Sequence, residues 1–173
     1  MRTLVAVVFS SVALTAVLPA QQMPDGSANK AAIERLRFME GTWRGEGWMQ
    51  RGPGERISAT VTETVERRLE GVALLVTGRG MSGDRIVHDA LGVIYWDAAA
   101  SRYVLRSWVA SGFWGDFPVE LIDGGVSWSR EVPGGRVRYV ARISGTEWHE
   151  TGEFSRDGTT WMPVLEMRLR RQP

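Results

Sequence analysis

The chain has 173 residues, with 21 basic and 20 acidic side chains and a formal net charge of +1. That near balance gives no electrostatic basis for binding nucleic acid or an anionic membrane. With no cysteine, a disulfide framework and lipidation at an N-terminal cysteine are excluded too.

Residues 1–20 read as a signal peptide. Arg2 supplies the positive start, Leu4 to Val17 is apolar or small, and Leu18-Pro19-Ala20 offers a small residue ahead of Gln21. The apolar run falls short of the roughly 20 residues that span a bilayer, so cleavage and export, periplasmic or secreted, are expected rather than a membrane anchor. No later segment is apolar enough to span. The remaining stretch of about 150 residues fits one domain with a sizeable core.

Residues 21–30 are polar, with Pro24 and Gly26, and predict a linker. Ala31 to Met39 places Ala32, Leu36 and Met39 at helical spacing, with Asn29 as the N-cap. The stretch Glu40-Gly41-Thr42-Trp43-Arg44-Gly45-Glu46-Gly47-Trp48 opens a first strand, with an indole between glycines that permit sharp bending and close backbone contact.

From there strand and turn signals repeat to the C-terminus. Strands are predicted over Ile57–Leu69, Val72–Thr77, Ile86–Trp96, Arg102–Ala110, Val119–Ile122, Val126–Glu131, Val137–Ile143, Trp148–Phe154 and Thr160–Arg170. Asp123-Gly124-Gly125, Pro133-Gly134-Gly135 and Asp157-Gly158 separate alternating runs as hairpin turns do. The expected fold is all-β, an antiparallel up-and-down barrel of roughly ten strands with a short N-terminal helix at one end. The alternative is a sandwich, which needs Greek-key crossovers; one connection, Ser111 to Pro118, is long enough for one.

A helix, then Gly41-Thr42-Trp43-Arg44-Gly45-Glu46-Gly47, then an all-β chain resembles the calycin superfamily of lipocalin-like barrels. The run from Trp148 to Gly158, with Trp161 and Glu166-Met167, is similar to an exported bacterial lipocalin-like family of uncharacterised function, and more distantly to nitrobindin-type haem barrels. The resemblance implies that the Trp43 indole packs beneath an arginine of the last strand. Arg168 or Arg170 would take that role, and with Gly41 and Trp43 they form the expected barrel closure. It also implies, for a haem barrel, an axial histidine on the last strand. Pro163 to Leu169 holds none, so no cofactor is expected and haem is disfavoured.

His88 and His149 are the only histidines of the sequence, too few for a zinc site, and no metal is expected. No nucleophile elbow, phosphate loop or dinucleotide fingerprint appears. Eight tryptophans exceed what plugging a barrel needs. Arg106 and Trp108 share one strand face, as do Trp148 and Glu150. With Tyr139 they are the candidate lumen residues, a wall suited to an apolar or amphipathic small molecule with a polar head group. Two rivals stand beside a binding barrel. One is an enzyme using Glu150, His88 or His149 as acid and base; the other is an interaction domain with a filled lumen.

Overall fold

The computed structural model describes residues 26–50, 52 and 54–173. The expected signal peptide, its cleavage point and the start of the linker lie outside them. Among the described residues, ten antiparallel strands form a closed barrel in which each strand pairs with its neighbours in sequence and the last pairs with the first. They are β1 (Gly41–Met49), β2 (Ile57–Arg68), β3 (Ala73–Ser82), β4 (Arg85–Asp97), β5 (Arg102–Val109), β6 (Trp114–Ile122), β7 (Gly125–Val132), β8 (Gly135–Ser144), β9 (Glu147–Ser155) and β10 (Met162–Arg171). No crossover occurs, which removes the sandwich alternative.

The strands form where apolar and polar residues alternate, because a closed sheet has one dry face and one wet face. In β2, Ala59, Val61, Glu63 and Val65 are buried, while Ser58, Thr60 and Glu66 are exposed. Two predicted strand boundaries move by more than two residues. β3 runs to Ser82 rather than ending at Thr77, because Gly78 and Gly80 lie within the strand and leave space beside Glu63 and His88. β6 begins at Trp114, so the expected connection from Ser111 to Pro118 is mostly strand.

β1 and β10 close the barrel with Gly45 opposite Leu169 and Gly47 opposite Met167. The backbones approach so closely that a Cβ on Gly45 would lie 2.0 Å from the Arg168 carbonyl oxygen. Gly45→Ala is therefore expected to destabilise the protein by about 1–3 kcal/mol, the range for overpacking. Urea unfolding measures this, and an unchanged midpoint would refute the close approach.

A helix, α1 (Ser27–Glu34), and a short 3-10 turn (Arg37–Met39) lead into β1. The α-helix begins four residues before the expected Ala31, which takes residues 27–30 out of the predicted linker. Its N-cap is Gly26, in the left-handed region at φ 71°. Asn29 does not cap; its side-chain amide donates to the Trp96 carbonyl at 2.9 Å. The first turn carries no apolar stripe, so hydrophobic periodicity could not register it. Ile33 and Leu36 are fully buried and Met39 nearly so, covering one end of the barrel. The Tyr103 hydroxyl donates to the Ala32 carbonyl at 2.8 Å, and Arg67 bonds Glu34 at 2.7 Å, tying helix to barrel.

Trp43 sits beneath this cap with no exposed surface. Its indole N–H donates to the Met39 carbonyl at 2.9 Å, and its ring meets Trp148 edge-on at 5.5 Å. An arginine of the last strand does cover it, but it is Arg171, with its guanidinium 4.1 Å from the ring centre. Arg171 also donates to the carbonyls of Glu40 and Phe38. Arg168 and Arg170 point outward and pair with Glu166 and Glu147. The pairing of Trp43 with Arg171 puts those two on one face and leaves the even-numbered arginines on the other. Gly41 adopts φ 123°, open to glycine, as the chain turns into β1 beside Arg171.

Candidate functional site: a carboxyl pair in the barrel lumen

Directly opposed residues in an antiparallel pair share a face, so the register sorts every candidate. Trp148 and Glu150 face inward and are buried. Tyr139 also faces inward, half-buried, with its ring stacked on Trp128 at 5.2 Å. Arg106 and Trp108 do not join them. Arg106 lies opposite Asp116 on the outer face and binds it through two hydrogen bonds of 2.6 Å. That pairing holds the Asp116 carboxyl below its usual range. Trp108 is on the same outer face, exposed near Leu91 and Trp114. The eight tryptophans thus divide. Trp43, Trp96, Trp128 and Trp148 are inside; Trp48, Trp108, Trp114 and Trp161 are outside, Trp48 and Trp161 beneath Arg56 and Arg138.

The lumen toward the helix is filled by Trp43, Val65, Leu74, Ile94, Val126, Ile143, Trp148 and Leu169. Further from the helix the filling changes. A cavity of about 70 Å³ is lined by Met49, Ile57, Ala59, Val61, Leu165 and Met167, and by Glu63, Glu150 and His88. Glu63 and Glu150 are buried, 9% and 6% exposed. These two carboxyls are the ionisable acids among the buried residues of the barrel.

Glu150 accepts a hydrogen bond from the Trp148 indole at 3.2 Å. Burial raises its pKa to about 7, and the Trp148 bond offsets part of that rise. Glu63 is pushed well above the usual carboxylate range by burial first and by the neighbouring Glu150 second. Its carboxyl lies over Gly78, where a Cβ would stand 2.6 Å from Oε1. Beside it, a Cβ on Gly80 would meet the Cβ of His88 at 3.2 Å and that of Ala59 at 3.6 Å. Small residues therefore form the cradle beside Glu63 and His88.

Glu63 was not among the sequence candidates. Its signal was present: it occupies the same parity as Ala59, Val61 and Val65, an acid on the dry face of a strand. His149 faces outward and bonds Glu166 at 3.0 Å, so it takes no part in the lumen. That contact, with Arg168 second, keeps the Glu166 carboxyl below its usual range. His88 is the histidine at the cavity.

A larger groove of about 710 Å³ crosses the outer face of β10, β1 and β2, bordered by Arg44, Glu46, Trp48 and Arg168. It is open to solvent, and Arg168 and Arg170 are already paired. Surface ion pairs of this kind contribute little and select little. The lumen, where charge is desolvated, is the chemically distinctive site.

Haem does not fit the lumen. The last strand turns Leu165, Met167 and Leu169 inward and Glu166 outward. A space of about 70 Å³ is also far below that needed to enclose a porphyrin. Among the described residues no group of three or more His, Asp or Glu is arranged to hold a metal ion. No helix among them is long and apolar enough to cross a membrane.

No protein-family model matches the chain, and no curated protein does. Solved structures do. Rv2717c from M. tuberculosis superposes with a TM-score of 0.63 at 14% identity, over 82% of this chain and 98% of that one. The S-type phycobiliprotein lyase CPES from Guillardia theta gives 0.55 at 8% identity, over 87% and 98%. At such identities the likeness is one of fold alone, that of a closed ten-stranded antiparallel barrel.

Proposed function

We propose that the protein is an exported barrel that binds a small amphipathic molecule, taking its polar head into the lumen from the end opposite α1. One observation carries this reading: two buried carboxyls border a cavity with otherwise largely apolar walls. Burying an acid without a compensating partner costs stability, and a binding role accounts for retaining two. The cavity has the volume of about two water molecules, so it suits a head group. The hydrocarbon part would lie toward the mouth, against Met49, Ile57 and Leu165. The pattern of residues 1–20 supports export.

Native mass spectrometry of the purified protein, with hexanol titrated in calorimetrically, tests this. A non-covalent mass lost on denaturation, or saturable one-site binding, is expected. Gly80→Leu, which fills the space beside His88 and Ala59, should abolish either signal. Binding that survives Gly80→Leu would place the ligand on the outer surface near Trp108 and Trp114 and overturn the reading. So would the absence of both signals.

A second reading has its own observation. Glu150 has its pKa raised to about 7 beside Glu63, which burial also pushes well above the usual carboxylate range, and such a pair suits general acid and base catalysis. Turnover of a bound ligand, lost in Glu150→Gln, would support it.

A further inference from the structure

The inner wall of the barrel has an uneven charge distribution. At the cavity stand Glu63 and Glu150. The arginines on the inward face are held elsewhere, Arg67 by Glu40 and Glu34, Arg171 over Trp43 and Arg130 5.1 Å from the Phe113 ring centre. Glu63 is nine-tenths buried and borders the cavity, and among the described residues no hydrogen-bond donor meets its carboxyl. Glu150 takes one bond, from Trp148. Several carboxyl lone pairs therefore remain for something in the cavity to satisfy.

We propose, building on the lumenal binding reading, that the ligand's head group is a small organic cation, a primary amine or similar multi-donor cation, held between Glu63 and Glu150. An ammonium group supplies three donors and no acceptor, matching two acceptor-rich carboxyls in a space too small for a bulky head. Charge-assisted hydrogen bonds of this type are roughly twice as strong as neutral ones. A carboxylate head would bring a negative charge into a desolvated cavity that offers no cation to meet it. An alcohol offers one donor and leaves the second carboxyl unmet.

Binding of a cation must be linked to proton release. Both carboxyls are pushed up by burial, Glu150 to about 7, so the empty site holds a proton at mildly acidic pH. A bound ammonium favours the ionised forms and expels a proton. The other titratable groups are His88 and Glu166 at the cavity, Glu166 being paired with His149 and Arg168, then Tyr139 and Tyr103 in the wall, and Arg67, Arg130 and Arg171 on the inward face. Of these, His88 is the one whose ordinary pKa lies near the working range.

The test compares hexylamine, hexanol and hexanoate by calorimetry on the wild-type protein between pH 5.5 and 8.5. Hexylamine is expected to bind, hexanol more weakly and hexanoate not at all. Hexylamine affinity should rise at least roughly tenfold across that range as the carboxyls ionise. At pH 6, buffers of different ionisation enthalpy should report about one proton released per ligand. Glu63→Gln and Glu150→Gln should each weaken hexylamine more than roughly tenfold. His88→Gln should leave the proton count intact, because the carboxyls supply it. If hexanol or hexanoate binds as well as hexylamine, or no proton is released, the lumen binds ligands but not cations, and this inference falls alone. If no probe binds, the lumenal reading falls with it. The wild-type pH series decides the matter even where a glutamine variant fails to fold.

Discussion

Trp43→Ala is expected to destabilise the protein by about 3–5 kcal/mol, the range for removing a large buried aromatic. The indole is fully buried, and its N–H bond to Met39 is the link between the 3-10 turn and β1. Removing it opens a cavity between Trp148 and the capping helix and strips Arg171 of the ring it covers. Those neighbours cannot collapse freely, because Arg171 is fixed by two backbone carbonyls and Trp148 by Glu150. Urea unfolding with far-UV detection measures the loss. A variant that melts within a degree or two of wild type would show that this indole does not organise the barrel end. Arg171→Met, which keeps bulk over the ring and loses the charge and the donors, should cost less than the tryptophan itself.

Folding stability should fall as pH rises from mildly acidic to slightly alkaline, opposite to the usual behaviour of a protein rich in paired carboxylates. Glu150 has a folded-state pKa of about 7 against an ordinary value of 4.5. The folded state therefore holds a proton that the unfolded chain has released between those values. The associated stability is fully present below pH 4.5 and is lost as pH rises through about 7. The loss is on the order of 3 kcal/mol from the size of that shift. Glu63, pushed up by burial first and by Glu150 second, contributes in the same direction. At the acid end the order reverses. Asp157 accepts bonds from the backbone N–H groups of Thr160 and Thr159, and its lowered pKa gives stability that is lost only under strong acid. Chemical unfolding at pH 5 and pH 8.5 should show the wild type weaker at the higher pH. Glu150→Gln, which keeps the acceptor for the Trp148 indole, should gain stability at pH 8.5 and little at pH 5. A wild-type profile flat over this range would mean that the carboxyls are solvated and the lumen is wetter than its geometry implies.

Local chemistry in the chain was enough for the barrel itself. Alternation with period two, broken by Asp-Gly and Gly-Gly turns, forces neighbouring strands to pair in sequence order, and ten such strands with tight connections close on themselves. Trp43 and the apolar side of the preceding helix were legible for the same reason, since each rests on spacing within a short window. Alternation also states which residues of a strand share a face, but not which face is inside. Arg106 and Trp108 were paired correctly with each other, as were Trp148 and Glu150; only the closed sheet turned the first pair outward and the second inward. A one-residue shift in register separates Arg171 from Arg170 on the last strand, and it was set by how β10 meets β1. The carboxyl pair was the least accessible to sequence. Glu63 stands on β2 and Glu150 on β9, with β1 and β10 between them, so no motif or spacing relates the two. Barrel closure brings them to one cavity, and burial there, rather than anything in their flanking residues, gives them their unusual acidity.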